Sequence, residues 1–304
     1  MAIPVVIAFT PNYFVPAATM LRSLLDSSEG TFRVICMVTE NIPERMKDEL
    51  LRMGGDRLEM EYLNLGGRLA EVYTDPRYSE AASYRLLLPD LLPEYDRVLY
   101  SDCDIIVRQD VARLFADVDL GDAYLGVVRE AAIEQQAERW KALGCNPNEY
   151  FNSGFLLMNL KQMRADGLTE KFLEASKVDW LEFPDQDVLN KVCGGRVVAL
   201  PPQYNAIRTF FIPQYKADFL RQYSLEDWEC VQREGTIHYT GGKPWNIFSV
   251  RFADWWRTYE RLPHDIRAEW KPDARISLLW KIYRIPLCRK MVDGARSLVR
   301  RIRN

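Results

Sequence analysis

The stretch "RVLYSDCDIIVRQD" (Arg97 to Asp110) places two carboxylates, Asp102 and Asp104, inside an apolar run. Val98, Leu99, Tyr100, Ile105, Ile106 and Val107 flank them and predict a strand that is about to be buried. Burying unpaired charge costs several kcal/mol per ion, on the scale of a domain's net stability. A cation, a basic side chain or an exit to solvent at the strand end must offset that cost. Side chains two apart in a strand point to one side, so Asp102 and Asp104 are expected to converge while Cys103 points away. Two carboxylates beside open coordination positions suit a hard divalent ion such as Mg²⁺ or Mn²⁺. They equally suit a strand end with two solvated acids, and the spacing alone does not choose.

Outward from this stretch, short apolar runs alternate with helical patterns. "IPVVIAF" (3–9), "FRVICMVT" (32–39) and "RLEMEYLNL" predict strands. "VPAATMLRSLLDSS", with Pro16 in the first turn, and "IPERMKDELLRM", with Asn41 as a candidate cap, predict the helices between them. "SEAASYRLLLPDLLP" predicts a helix just before the acidic strand. Further on, "AYLGVVRE", "SGFLLMNL" and "GRVVALP" read as strands and "DQDVLNKVC" as a short helix. This alternation predicts an α/β fold with a mostly parallel sheet and helices on both faces. Ligands of such sheets sit at the carboxyl ends of the strands, where Asp102 and Asp104 lie. Residues 203–250 read as a loop-rich, aromatic, substrate-facing lobe.

The chain has 304 residues and is 48% hydrophobic, enough for one large α/β domain with a sizeable core. A net charge of −3 argues against a general nucleic-acid binder. From Arg275 to Asn304, however, nine Lys/Arg face one acid, Asp293, so the tail carries +8 and the remainder −11. The six cysteines are scattered without a C-x-x-C, and the N-terminus lacks a signal-peptide pattern. Reduced thiols and a cytoplasmic location are expected. No apolar run approaches the ~20 residues of a membrane span.

Four segments occur in order: "SYRLLLPDLLPEYDRVLYSDCDIIV" (83–107), "YFNSGFLLMNLKQMR" (150–164), "FPDQDVLN" (183–190) and "IHYTGGKPW" (237–245). Together they closely resemble the family 8 retaining glycosyltransferases. That group contains bacterial lipopolysaccharide galactosyl- and glucosyltransferases and, more distantly, glycogenin. The resemblance covers about residues 3–260. It implies a nucleotide-sugar-binding fold of the GT-A type, a UDP-sugar donor and a divalent metal, usually Mn²⁺. By position it makes Asp102, Asp104 and His238 the metal ligands, which would compensate the buried charge. It directs Arg85 toward the donor, and Asn152, Asp185 and Gln186 toward the donor sugar, the last two being the candidate catalytic residues. Asp187 is placed to cap or pair at its helix start. Gly241 and Gly242 allow close backbone approach to a phosphate, and Lys243 adds a point charge. Cys103 lies between the ligands and belongs to the implied donor-binding set. After the first strand the family commonly shows an Asp-containing D-N-Y that contacts uridine; here the chain reads "AFTPNYF". Ala8 and Thr10 can still meet the uracil through backbone groups, with Asn12 retained and Tyr13 able to stack.

Two other protein classes share part of this pattern. Haloacid dehalogenase-type phosphatases also carry D-x-D after an apolar strand, but near the N-terminus and with Thr or Val where Ile106 stands. A non-catalytic sugar-nucleotide or glycan-binding protein on the same fold would be expected to lose ligands that this chain keeps. The expected organisation is a transferase domain over 1–270 and a basic amphipathic tail over 271–304. In that tail Ile276, Leu279, Trp280 and Tyr283, then Leu287, Met291, Leu298 and Ile302, recur at helical spacing around Pro286. The pattern predicts peripheral attachment to an anionic membrane surface, with the aromatic pair at headgroup level; the alternative is a basic helix packing on the chain's own acidic body. The expected substrates are UDP-galactose or UDP-glucose and a glycan or lipid-linked glycan acceptor.

Overall fold

The computed structural model describes residues 2–69, 79–178 and 180–303, with side chains described as far as Gly294. Its strands are β1 (Ile3–Phe9), β2 (Phe32–Val38), β3 (Leu58–Asn64), β4 (Val98–Ser101), β5 (Ile105–Ile106), β6 (Leu125–Arg129), β7 (Phe151–Met158), β8 (Val197–Ala199), β9 (Ala206–Ile207) and β10 (Ile237–His238). Seven of them form one sheet in the order β3-β2-β1-β4-β7-β6-β8. Neighbours run parallel except around β7, which is antiparallel to both β4 and β6. A small second sheet has the order β5-β10-β9.

The alternation of side chains in β1 explains why its sequence is apolar throughout. Val5, Ile7 and Phe9 enter one core with Phe14, Leu21 and Leu24 of helix Phe14–Ser27. Val6 enters the other, with Leu160, Phe172 and Leu189 from the helices beyond β7. A strand covered on both faces has no solvent side on which to alternate. The sheet therefore carries helices on both faces, as the sequence predicts.

Several local expectations are corrected. The acidic stretch is not one strand. β4 ends at Ser101, and Asp102 and Asp104 lie in the turn before β5, which pairs in the second sheet. Asp102 N–H closes the first sheet by donating to Gly154 O at 2.7 Å, and Tyr239 N–H donates to Asp104 O at 3.0 Å in the second. The chain thus changes sheets where its carboxylates begin. The segment Glu80–Leu87 is a 3₁₀ helix rather than an α-helix, followed by one α-helical turn, Leu88–Leu91. Asn41 does not cap helix Glu44–Gly54, whose N-cap is Pro43; its Oδ1 accepts from Asn64 Nδ2 instead. Residues 203–250 are less loop-rich than expected, since they hold helices Lys216–Gln222 and Leu225–Glu234.

The start of the basic tail packs on the body. Ile276, Leu279, Trp280 and Tyr283 of helix Ala274–Tyr283 face the protein core. Trp280 stacks on Trp256 and donates to Glu260 at 2.9 Å, and Tyr283 packs edge-on against Phe248 and Phe252. The expectation that this aromatic pair meets lipid headgroups is therefore wrong. The opposite face leaves Leu278, Ile282 and Ile285 exposed, and Leu287 and Met291 of helix Pro286–Arg303 are each 69% exposed. The side chains of Leu298 and Ile302 lie outside the described ones.

Candidate functional site

The carboxyl ends of β1 and β4, the amino end of β7 and the small sheet meet at one place. β4 delivers Asp102 and Asp104, β10 delivers His238, and β7 delivers Asn152 and Ser153. Helix Pro184–Cys193 presents Asp185 and Gln186 in its first turn, and the 3₁₀ helix presents Arg85. Residues far apart in sequence thus converge on rigid element ends.

Ligand atoms of Asp102, Asp104 and His238 all lie within 4.8 Å of one another. His238 Nε2 is 3.4 Å from Asp104 Oδ1 and 3.7 Å from Asp102 Oδ2. Each carboxylate is held by its other oxygen. Asp102 Oδ1 accepts from Arg85 Nη2 at 2.7 Å and from Tyr100 OH at 3.1 Å, while Asp104 Oδ2 accepts from the Lys243 ammonium. One oxygen of each acid is left to converge with a ring nitrogen. Two oxygens and one imidazole nitrogen brought together in this way would suit a divalent cation such as Mn²⁺ or Mg²⁺, with positions left for substrate oxygens. Burial works against the charge of Asp104, yet Lys243 and His238 outweigh it and hold the carboxyl well below its usual range. Arg85, 3% exposed, is also disfavoured by burial; Asp102, Tyr100 and Asp185 overcome this and push it above its ordinary value. It is no surface arginine.

Beside these acids lies a second polar group. Asp185 Oδ2 accepts from Ser153 Oγ at 3.0 Å and sits 3.3 Å from Arg85 Nε. Burial raises its pKa against the attraction of Arg85. Gln186 Oε1 accepts from Asn152 Nδ2 at 2.9 Å and from Ser153 N–H at 3.1 Å. Its Nε2 donates to Glu130 Oε1 at 3.2 Å and Tyr150 OH at 3.1 Å. Asp187 turns away, pairing with Arg139 at 2.9 Å and accepting from the N–H groups of Glu182 and Phe183. Pairing at the helix start is thus its role here.

The remaining sequence candidates border the same place. Ala8 O accepts from the Cys103 thiol at 3.6 Å, and the Thr10 hydroxyl donates to Asn12 Oδ1. Tyr13 packs edge-on against Trp245, 5.7 Å between centroids. Burial first, then Asp104, Cys103 and Asp102, raise its hydroxyl pKa. Lys243 also donates to Tyr239 O at 2.9 Å. Gly241 has φ +81°, a left-handed conformation that explains a glycine there.

Sequence reasoning missed Glu130, Tyr150, Ser153, Gly154 and Asn205. Glu130 had a signal, an acid ending the apolar run "AYLGVV" as Asp102 does in its own strand. Asn205, 0% exposed, had none; its Oδ1 lies 3.0 Å from His238 Nδ1 and its Nδ2 donates to Asn152 Oδ1 at 3.0 Å.

The sequence profile named glycosyl transferase family 8 matches residues 4–248, including every residue of this site. The chain belongs to glycosyl transferase family 8. It is similar to an Escherichia coli lipopolysaccharide 1,2-glucosyltransferase, 30% identical over 81% of this chain and 74% of that one. It is also similar to general stress protein A of Bacillus subtilis, 29% identical over 67% of this chain and 71% of the other. Among solved structures, galactosyltransferase LgtC in complex with donor and acceptor sugar analogues superposes with a TM-score of 0.71. That pair is 25% identical over 88% of this chain and 100% of LgtC. The fold is accordingly the GT-A type, and this family 8 chain is a retaining hexosyltransferase using a sugar-nucleotide donor and a divalent metal. The phosphatase and non-catalytic readings fall.

Proposed function

We propose that the chain moves galactose or glucose from UDP to a glycan acceptor in lipopolysaccharide or related surface-polysaccharide synthesis, with Mn²⁺ as the metal. The observation that carries this is the convergence of one oxygen each of Asp102 and Asp104 on His238 Nε2, with Lys243 beside them. The bound metal would stabilise negative charge on the departing UDP as a Lewis acid. Lys243 supplies a positive charge to the pyrophosphate, and Gly241 lets the backbone turn beside it. Ala8, Thr10, Asn12 and Tyr13 at the end of β1 take the nucleoside. Asn152, Asp185 and Gln186 hold the hexose, positioned by Ser153 and Arg85.

Retention is best served by front-face attack. Both polar ends of Gln186 are already engaged, and Asp185 is pinned between Arg85 and Ser153. An amide is a poor nucleophile, and Asp185 is held in the group of side chains that takes the hexose. A screen of UDP-sugars for Mn²⁺-dependent UDP release tests the assignment. Release from UDP-galactose or UDP-glucose that EDTA abolishes is expected; activity only with another nucleotide, or unaffected by EDTA, refutes it.

No helix among the described residues is long and apolar enough to cross a membrane. The exposed face of Leu278, Ile282, Ile285, Leu287 and Met291, within a tail of net charge +8, instead fits the surface of an anionic membrane on the cytoplasmic side. Each basic residue near such a surface contributes about 1 kcal/mol, and a lipid-linked acceptor would make the attachment useful. Truncation at Pro272 would strip Trp280 from the core, so substitution is the cleaner test. Leu287→Glu with Met291→Glu should abolish co-sedimentation with anionic vesicles while leaving soluble-substrate turnover intact. Equal sedimentation of both proteins would rule this face out.

A further inference from the structure

Asn205 touches a metal-ligand candidate on one side and a candidate sugar-binding side chain on the other. It lies just before β9, which runs parallel to β10 with Ile207 opposite His238. Its two amide ends are chemically different, and the surrounding backbone decides which end points where. Gly154 N–H can only donate, and it lies 3.0 Å from Asn152 Oδ1, so that atom must be the carbonyl oxygen. The atom of Asn205 that faces the same oxygen at 3.0 Å must therefore be its Nδ2. The orientation is confirmed from the other end. Ser153 N–H donates to Gln186 Oε1, and Asn152 Nδ2 donates to that same oxygen.

With Nδ2 committed to Asn152, Asn205 Oδ1 is left facing His238 Nδ1 at 3.0 Å. A carbonyl oxygen only accepts, so Nδ1 carries a proton, and whenever the ring is neutral its lone pair sits on Nε2. Nε2 is the nitrogen that faces Asp102 and Asp104. We propose that Asn205 is a positioning residue that sets the His238 tautomer and aims its Nε2 at the metal, and that two backbone N–H groups of β7 fix this orientation. Partners of this kind, on the far nitrogen of a ligating histidine, orient the ring and raise its basicity. The proposal rests on Asp102, Asp104 and His238 being the metal site. Asn205 touches no reacting atom.

The chain has only two histidines, and the side chain of His264 is 85% exposed, so His238 is separable by ¹⁵N–¹³C correlation of the imidazoles. At alkaline pH the metal-free wild-type protein should show His238 protonated on Nδ1. Finding it protonated on Nε2 overturns the proposal, whatever any variant does. Mn²⁺ binding, followed by electron paramagnetic resonance of the free ion, supplies the second measurement. Asn205→Leu, close in size and unable to accept, should bind Mn²⁺ about 10- to 100-fold more weakly. Asn205→Asp keeps the acceptor toward His238 while losing the donor toward Asn152, and should recover most of that loss. Wild-type affinity in a folded Asn205→Leu protein sinks the proposal, as does an Asp variant no better than Leu. Failure of the metal assignment itself looks different, because wild type and His238→Ala would then bind Mn²⁺ alike.

Discussion

Gly154→Ala tests the packing of the site more sharply than removal of a ligand. Gly154 is in β7 with an ordinary strand backbone; its N–H donates to Asn152 Oδ1 and its carbonyl accepts from Asp102 N–H. A Cβ added there would lie 2.2 Å from His238 Cε1 and 2.7 Å from Asp102 Oδ2. Carbon atoms rest no closer than about 3.5 Å, so the ring must retreat by about 1.3 Å or β7 must shift. His238 is 3% exposed and bonded to Asn205, so retreat breaks that bond. Overpacking of this kind costs about 1–3 kcal/mol of stability. The functional loss should be larger in proportion, because metal bonds tolerate only about 0.2 Å of error and a misplacement of about 1 Å costs about a hundredfold in rate. We expect a folded protein, melting a few degrees lower, with Mn²⁺ affinity and turnover each reduced by about a hundredfold. Calorimetric titration with Mn²⁺ and a UDP-release assay at several Mn²⁺ concentrations would measure this. Wild-type affinity and turnover in the alanine variant would refute the placement of His238 against β7.

Asp104→Asn should lower turnover by about a hundredfold or more, since it removes a ligand charge from the metal that steadies the leaving group; near-native turnover at saturating Mn²⁺ would count against the assignment. Lys243→Ala should weaken UDP binding by about tenfold or more, the worth of one charge-assisted hydrogen bond, and calorimetry with UDP would show unchanged affinity if Lys243 is not at the pyrophosphate. Burial raises the Glu130 pKa despite the bonds from Asn152 and Gln186, so the folded chain binds that proton more readily than the unfolded one. Its charged form therefore costs stability above the folded pKa, and the cost disappears below the unfolded value of about 4.3. Glu130→Gln should melt higher than wild type near neutral pH and lose that advantage at acid pH; melting curves at both would reveal a constant difference if the reasoning fails.

Sequence alone determined the strands of the large sheet, because β1, β2 and β7 are covered on both faces and so read as unbroken apolar runs. It also singled out Asp102 and Asp104, because acids inside such a run need either a compensating charge or an exit to solvent, a choice that spacing alone left open. What it missed depended on contacts between distant segments. Asn205 and His238 stand 33 residues apart, and Asn152 and Asn205 stand 53 apart. No local spacing announces a buried amide with one partner on a neighbouring strand and the other in the large sheet. The turn that separates Asp102 from Asp104 was likewise hidden, since apolar residues on either side look the same whether they continue one strand or begin a second. In the tail, helical periodicity offered Ile276, Leu279, Trp280 and Tyr283 as one apolar face, while the structure exposes Leu278, Ile282 and Ile285 on the opposite side. Which face meets the protein was decided only by tertiary packing, because Trp256, Phe248 and Phe252 form a surface that the aromatic side chains fill. Periodicity records that a face is apolar; what covers it depends on the shape of the rest of the chain.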